Sequence, residues 1–250
     1  MAARRDDPAA AAPCRPPARA MTAQGDTPAA GPRAVPAGGP GPHRNEPAAA
    51  PATADPVERV LRALAQPAAA SSDHDLTPGA QGSASRLRPA AVLVALMPAP
   101  DGMRLLLTRR SARLRHHPGQ IALPGGRRDP SDPSLEATAL REAHEEIGLH
   151  PDRVDLLGRL NPHETVTGFA VTPIVGRLRA PFRPVPEAGE VAEVFAVPLS
   201  HLTDPARYRI ERRRWRNTWR NYYVVPWGPY YIWGATARIL HGLATQGTAP

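Results

Sequence analysis

REAHEEIG, residues 141–148, sets Glu142, Glu145 and Glu146 within about one helical turn of each other, with Arg141 at their head. It closes the strongest helical pattern in the chain, DPSLEATALREAHEEIGL (132–149). Asp132 is the predicted cap and Pro133 the first helical residue, while Gly148 ends the helix. Leu135, Ala139, Ala143 and Ile147 recur at every fourth position and form an apolar ladder that anchors the helix on a core. The three carboxylates stand beside that ladder, at the edge of a buried face, where mutual repulsion is costly unless something cancels it. A solvated charged face with an Arg141–Glu145 pair is the plain reading. A hard divalent cation such as Mg²⁺, held by oxygen ligands, is the functional one.

Upstream, GQIALPGG (119–126) reads as a short strand ending in Gly125 and Gly126, which would let backbone groups approach a metal or phosphate closely. AAVLVALMP (90–98) and MRLLLTRRS (103–111) are apolar runs around APDG and predict a strand pair joined by a turn. VDLLGRL (154–160), AVTPIVGRL (170–178) and AEVFAVPLS (192–200) are further strand candidates. YYVVPWGPYYIW (222–233) predicts two short strands, and GATARILHGLATQ (234–246) a last helix. The irregular alternation of strands and helices, without an internal repeat, points to an α/β fold with a mixed sheet and helices on its faces.

Three segments are expected. Residues 1–54 are rich in Ala, Pro and Gly with few large apolar side chains, the composition of a disordered arm. Residues 55–85 comprise a short docking helix and a linker; DPVERVLRALAQ (55–66) offers Asp55 as cap and Val57, Val60, Leu61 and Leu64 as its stripe. Residues 86–246 form the main domain. The net charge is +8, and all 31 basic residues are arginine, which suits forked recognition of phosphate but also reflects coding bias. The one cysteine, Cys14, excludes an intrachain disulfide framework and suits a cytoplasmic protein. No run reaches the roughly 18 apolar residues of a membrane span. Arg4-Arg5 is followed by Asp6, Asp7 and Pro8, not by an apolar segment, so no secretion signal is expected.

The helix and its glycines together resemble the Nudix hydrolases, whose pattern is a glycine, a spacer glutamate, then R-E-apolar-x-E-E-x-G-apolar. Arg141 to Leu149 fit every defined position of the second half. The first half departs: Gly126 lies one residue farther from Arg141 than the pattern has it, and Pro133 occupies the glutamate's register with Asp132 beside it. That departure, with the stretch Gly125-Gly126-Arg127-Arg128-Asp129-Pro130-Ser131-Asp132, is similar to the coenzyme A pyrophosphatase branch. So is LLTRRSARLRHHPGQIALPGG (106–126), in which Leu106, Leu107, Thr108, Arg110, Ser111, Arg115, Gly119, Pro124, Gly125 and Gly126 fall in register; Leu123 replaces the branch's usual Phe.

The resemblance implies a Nudix-type α/β/α sandwich and hydrolysis of a diphosphate bridge. It implies that Glu142, Glu145 and Glu146, with a Gly126 or Gly125 carbonyl, hold Mg²⁺ or Mn²⁺. Arg141 would orient these carboxylates. Glu190, with Glu193 second, is the expected extra glutamate serving as ligand or base. Arg109, Arg110, Arg115, Gln120 and Gly125 are the expected substrate contacts, and His116 and His117 are further donors or inert surface. The substrate implied is coenzyme A or a derivative; ADP-ribose or a dinucleotide is the alternative within enzymes, and a non-catalytic nucleotide- or RNA-binding domain the alternative outside them. No membrane partner is expected, nucleic acid is disfavoured, and oligomerisation stays open. RIERRRWRNTWRNYY (209–223) mixes arginines with Trp215 and Trp219; an edge strand with Arg212, Arg214 and Arg216 on one face and Arg213 and Trp215 on the other is favoured over a base-stacking surface.

Overall fold

A computed structural model describes residues 55–66, 68–77, 87–215 and 218–248, so the arm expected over 1–54, part of the linker and Arg216 lie outside the described residues. The chain runs from α1 (Pro56–Ala65) and β1 (Ser71–Ser72) through β2 (Arg88–Ala99), β3 (Gly102–Arg110), β4 (Ile121–Ala122) and β5 (Gly125–Arg127) to α2 (Leu135–Ile147). β6 (Val154–Arg159), β7 (His163–Glu164), β8 (Phe169–Leu178) and β9 (Val191–Pro198) follow, then the single turn α3 (Leu199–Leu202). β10 (Arg209–Trp215), β11 (Thr218–Trp227), β12 (Tyr230–Trp233) and α4 (Gly234–Gln246) come last.

Among the described residues, nine strands form one mixed sheet along the path β1-β7-β8-β2-β3-β4, with β5 on β2, β6 on β8 and β9 on β3. The central pair, β2 and β8, is parallel from Arg88/Phe169 to Leu96/Arg177. Such a strand is covered on both faces, which is why AAVLVAL reads as a continuous apolar run. Its side chains divide by parity. Ala91, Leu93 and Ala95 join Leu106 and the helix residues Ala139, Ala143 and Ile147 in one core layer. Val94 and Leu96 join Leu105, Leu107, Val197 and Leu240 in the other. α2 therefore covers one face of the sheet; α1, α3, α4 and the smaller β10-β11-β12 sheet cover the other. This is the α/β/α sandwich with a mixed central sheet that the sequence led us to expect.

Local differences have local reasons. The helix cap is Ser134, whose side chain accepts the Ala137 N–H, and not Asp132, which is held elsewhere. Gly148 closes α2 in the left-handed region at φ 72°, as its position suggested. GQIALPGG is not one strand. β4 pairs with β3 and β5 with β2, and between them Pro124 presents its carbonyl to the Leu93 N–H at 2.8 Å. On α1, Leu61 is 48% exposed and Ala63 is buried in its place. β7 and β1 carry no pattern a sequence reader would notice; His163, fully buried, lies between the Ser71 hydroxyl and the Asp73 carboxylate at 2.9 and 3.1 Å. β10 pairs along its length with β11, but Arg212, Arg213 and Arg214 are all exposed, so both faces of this arm meet solvent. Arg212 lies over the exposed Trp219 ring at 4.9 Å.

Candidate active site

Two glycines bring a strand end against α2. A Cβ on Gly125, whose φ is +152°, would stand 2.4 Å from the Ala91 carbonyl oxygen on the neighbouring strand. A Cβ on Gly126 would stand 2.5 Å from Cδ of Glu142. The glycine pair is thus required twice, once by sheet packing and once by a carboxylate. The Gly125 N–H donates to Oε2 of Glu146 at 3.1 Å.

The three glutamates differ in exposure: Glu146 is buried, Glu142 half-buried and Glu145 exposed. Burial raises the Glu146 pKa to about 7, against the pull of the Gly125 N–H and Arg110, and the charges of Glu142 and Glu190 push the same way as burial. Arg110 is a distant counter-charge, 3.9 Å from Oε1. Burial likewise raises Glu142, opposed by Arg141 and reinforced by Glu145 and Glu190.

Arg141 carries the local counter-charge. It donates from Nε and Nη2 to the two oxygens of Asp132, each at 3.0 Å. It also reaches Oε2 of Glu145 at 2.9 Å and Oε1 of Glu142 at 3.0 Å. Its fork thus grips Asp132, and the glutamates receive what remains. That forked bond, aided by the Asp129 N–H and the Thr138 hydroxyl, holds the Asp132 carboxyl well below the usual range against its burial. The same bond pushes the Arg141 guanidinium above its ordinary value. Asp132 is the residue whose role sequence reasoning missed. Its signals were its place beside the register of the absent glutamate and in the Gly125–Asp132 stretch, neither of which pointed to Arg141.

The remaining expected residues divide between the two faces of the sheet. Glu190 is exposed, and its charge acts on both Glu142 and Glu146; its carbonyl accepts the Ser111 N–H at 2.7 Å. Arg110 points to Glu146. Arg109, its neighbour, pairs with Glu193 at 3.0 Å. Arg109 and Glu193 are register partners in β3 and β9, and they share parity with Leu105, Leu107 and Phe195, which pack in the layer away from α2. Glu193 therefore does not join the carboxylates. Arg115 stands exposed in the loop before β4, and Gln120 is half-buried beside Gly234.

The donor set fits a divalent cation. One guanidinium serves Asp132, Glu142 and Glu145, while the buried Glu146 has one backbone N–H and a distant arginine. Among the described residues no three His, Cys, Asp or Glu side chains form a ready-made metal cluster.

No helix among the described residues is long and apolar enough to cross a membrane. Residues 87–218 match the family model for the NUDIX domain. The chain is 46% identical over 162 residues to the uncharacterised Nudix hydrolase NudL of Pectobacterium atrosepticum, covering 64% of this chain and 82% of that protein. It is 43% identical over 176 residues to the NudL of Citrobacter koseri, covering 68% and 88%. RenU, a Nudix hydrolase from M. smegmatis, superposes with a TM-score of 0.39 at 31% identity over 44% of this chain and 70% of that one. The chain belongs to the Nudix hydrolases, enzymes that cut phosphoanhydride bonds.

Proposed function

We propose that the protein hydrolyses the diphosphate bridge of coenzyme A or a derivative of it, giving 4′-phosphopantetheine (or its acyl form) and adenosine 3′,5′-bisphosphate. The observation that carries this reading is the run 106–126 set against α2. It resembles the coenzyme A branch at ten positions, and Arg110 within it stands 3.9 Å from Glu146. A substrate with a diphosphate and a separate phosphate calls for cations at more than one place, and Arg109, Arg110 and Arg115 supply them.

Glu142, Glu145 and Glu146, with the Gly126 or Gly125 carbonyl, would hold Mg²⁺ or Mn²⁺. The cation, when bound, supplies Lewis-acid stabilisation of the charge that develops on the phosphoryl oxygens. Arg141 is a positioning residue: fixed by its fork on Asp132, it sets the angle of Glu142 and Glu145. Arg110 and Arg115 orient the diphosphate, and Gln120 offers an amide to it. Glu190, exposed and electrostatically coupled to Glu142 and Glu146, is assigned to take the proton of the attacking water.

The test is hydrolysis of a small panel, coenzyme A, acetyl-coenzyme A, ADP-ribose and a dinucleoside polyphosphate, with Mg²⁺ and with Mn²⁺, products identified by mass. Turnover of the coenzyme A compounds is expected. If these were inert while ADP-ribose turned over, the substrate would be another nucleoside diphosphate derivative. If nothing turned over and Glu145→Gln changed no ligand affinity, the domain would be a non-catalytic binder.

A further inference from the structure

A cavity lies on the sheet face away from α2. It has a volume of about 480 Å³ and is lined by Arg109, Glu193, Tyr230, Tyr231 and Trp233 among others. Its size is that of an ordinary small-molecule site. Tyr230, Tyr231 and Trp233 give it aromatic walls. Tyr230 stacks on Phe195 with ring centroids 3.6 Å apart and planes 5° from parallel, so the ring is backed from below. Trp233 is steadied by Tyr222, edge to face at 5.3 Å. Glu193 is fixed at the polar end by two donors, the Tyr230 hydroxyl and the Arg109 guanidinium. Held this way its carboxylate has only acceptor capacity left to offer. Arg109 beside it has only donors. A flat ring that stacks on an aromatic wall and presents a donor next to an acceptor matches this pair. The 6-amino group and ring N1 of an adenine-type purine are such an edge.

The cavity and the carboxylates lie on opposite faces of the same strand end. Arg109 and Arg110 are consecutive on β3, and a strand sends consecutive side chains to opposite faces. Arg109 enters the cavity, and Arg110 faces Glu146. Gly119, which also lines the cavity, donates its N–H to the Arg110 carbonyl at 3.1 Å. A ligand that bends over this strand end has its ring on one face and its phosphates toward the other.

We infer that this cavity is the base subsite of the enzyme, and that Glu193 selects a 6-aminopurine by accepting a hydrogen bond from its amino group while Tyr230 and Trp233 flank the ring. The inference rests on the reading of the substrate as an adenosine-bearing diphosphate, and its test is kept apart from catalysis. The metal-free protein, in a chelator, is titrated with adenosine 5′-monophosphate and with purine riboside 5′-monophosphate, which lacks the amino group. Binding is followed by tryptophan fluorescence and calorimetry.

The adenine nucleotide should bind about 10- to 100-fold more tightly, the range of one hydrogen bond to a charged partner. Glu193→Gln, which exchanges a charged acceptor for a neutral one, should lower the ratio of the two affinities about 5- to 10-fold. Equal affinities on the unmodified protein, no binding of either nucleotide, or an unchanged ratio in the variant would overturn the inference. Should Glu193→Gln fail to fold, the two-ligand comparison on the unmodified protein decides alone. A clear adenine preference beside a coenzyme A that is not hydrolysed would leave the subsite standing and remove the substrate reading.

Discussion

At pH 8 and in a chelator, the Glu146→Gln protein should unfold at a higher temperature than the unmodified one. The Glu146 side chain is only 5% exposed, and burial lifts its pKa from 4.5 to about 7. Below pH 4.5 the group is protonated in the folded and unfolded chain alike and has no effect. Between 4.5 and about 7 the unfolded chain ionises while the folded chain keeps its proton, so stability falls as pH rises. Above about 7 the whole cost is present. At about 1.4 kcal/mol per pH unit this amounts to roughly 3 kcal/mol. Glutamine has the same shape and keeps an acceptor for the Gly125 N–H. The variant leaves Arg110 without its distant partner at 3.9 Å, a small loss.

A net gain of about 2–3 kcal/mol should raise the midpoint by roughly 4–12 °C in a domain of this size. Calorimetry across pH is the assay. The gap should close toward pH 4.5, and it should narrow at pH 8 when Mg²⁺ is added, because a ligand at 100 times its Kd stabilises the unmodified protein by about 2.7 kcal/mol. A variant that melts at or below the unmodified protein in chelator at pH 8, or a gap indifferent to pH, would refute the reasoning.

Asp132→Ala should be costly in a different way. It strips a 5%-exposed carboxylate from Arg141, which keeps Glu142 and Glu145, a loss of about 1.5–3 kcal/mol measurable by denaturant unfolding. Because this carboxyl lies below the usual range, its contribution is present above about pH 4 and is lost as pH falls; the variant's acid-unfolding curve should lack that part of the slope. The two glycines should separate stability from catalysis. Gly126→Ala places a methyl 2.5 Å from Cδ of Glu142, the movable end of a side chain, so kcat should fall about 100-fold while the melting temperature changes little. Gly125→Ala places one 2.4 Å from a backbone oxygen at φ +152°, so thermal unfolding should show a loss of about 1–3 kcal/mol or more.

What could be read in advance was local. α2 carries its own ladder and its own terminator, and the expected Ala139, Ala143 and Ile147 are all fully buried. α4 begins and ends where GATARILHGLATQ does. The division of GQIALPGG between two partners was not readable, since it depends on β2 and β3 both being within reach of one short segment. Nor was the Ser134 cap, because Asp132 is as good a capping residue by type. Only the proximity of Arg141 in three dimensions recruits it elsewhere. The same holds for Glu193. Its distance in sequence from Arg109 hides that the two are register partners, and parity then assigns it to the far face.

That assignment bears on how a broad family narrows to a substrate. On the proposed reading the α2 carboxylates hold a cation against any diphosphate, whichever leaving group it carries. Discrimination has to come from groups that the reacting phosphorus does not touch. On that reading β3 provides them by alternation: Arg110 faces Glu146 and Arg109 the cavity, with a register shift in the β3–β9 pairing between them. A change at Arg109 or Glu193 should therefore alter which substrate is preferred, while a change at Glu142 or Glu146 should lower turnover for all of them alike. The ratio of kcat/KM values across the panel separates the two kinds of residue. A Glu193 variant that lost activity equally on every substrate would show that the two faces do not divide the work.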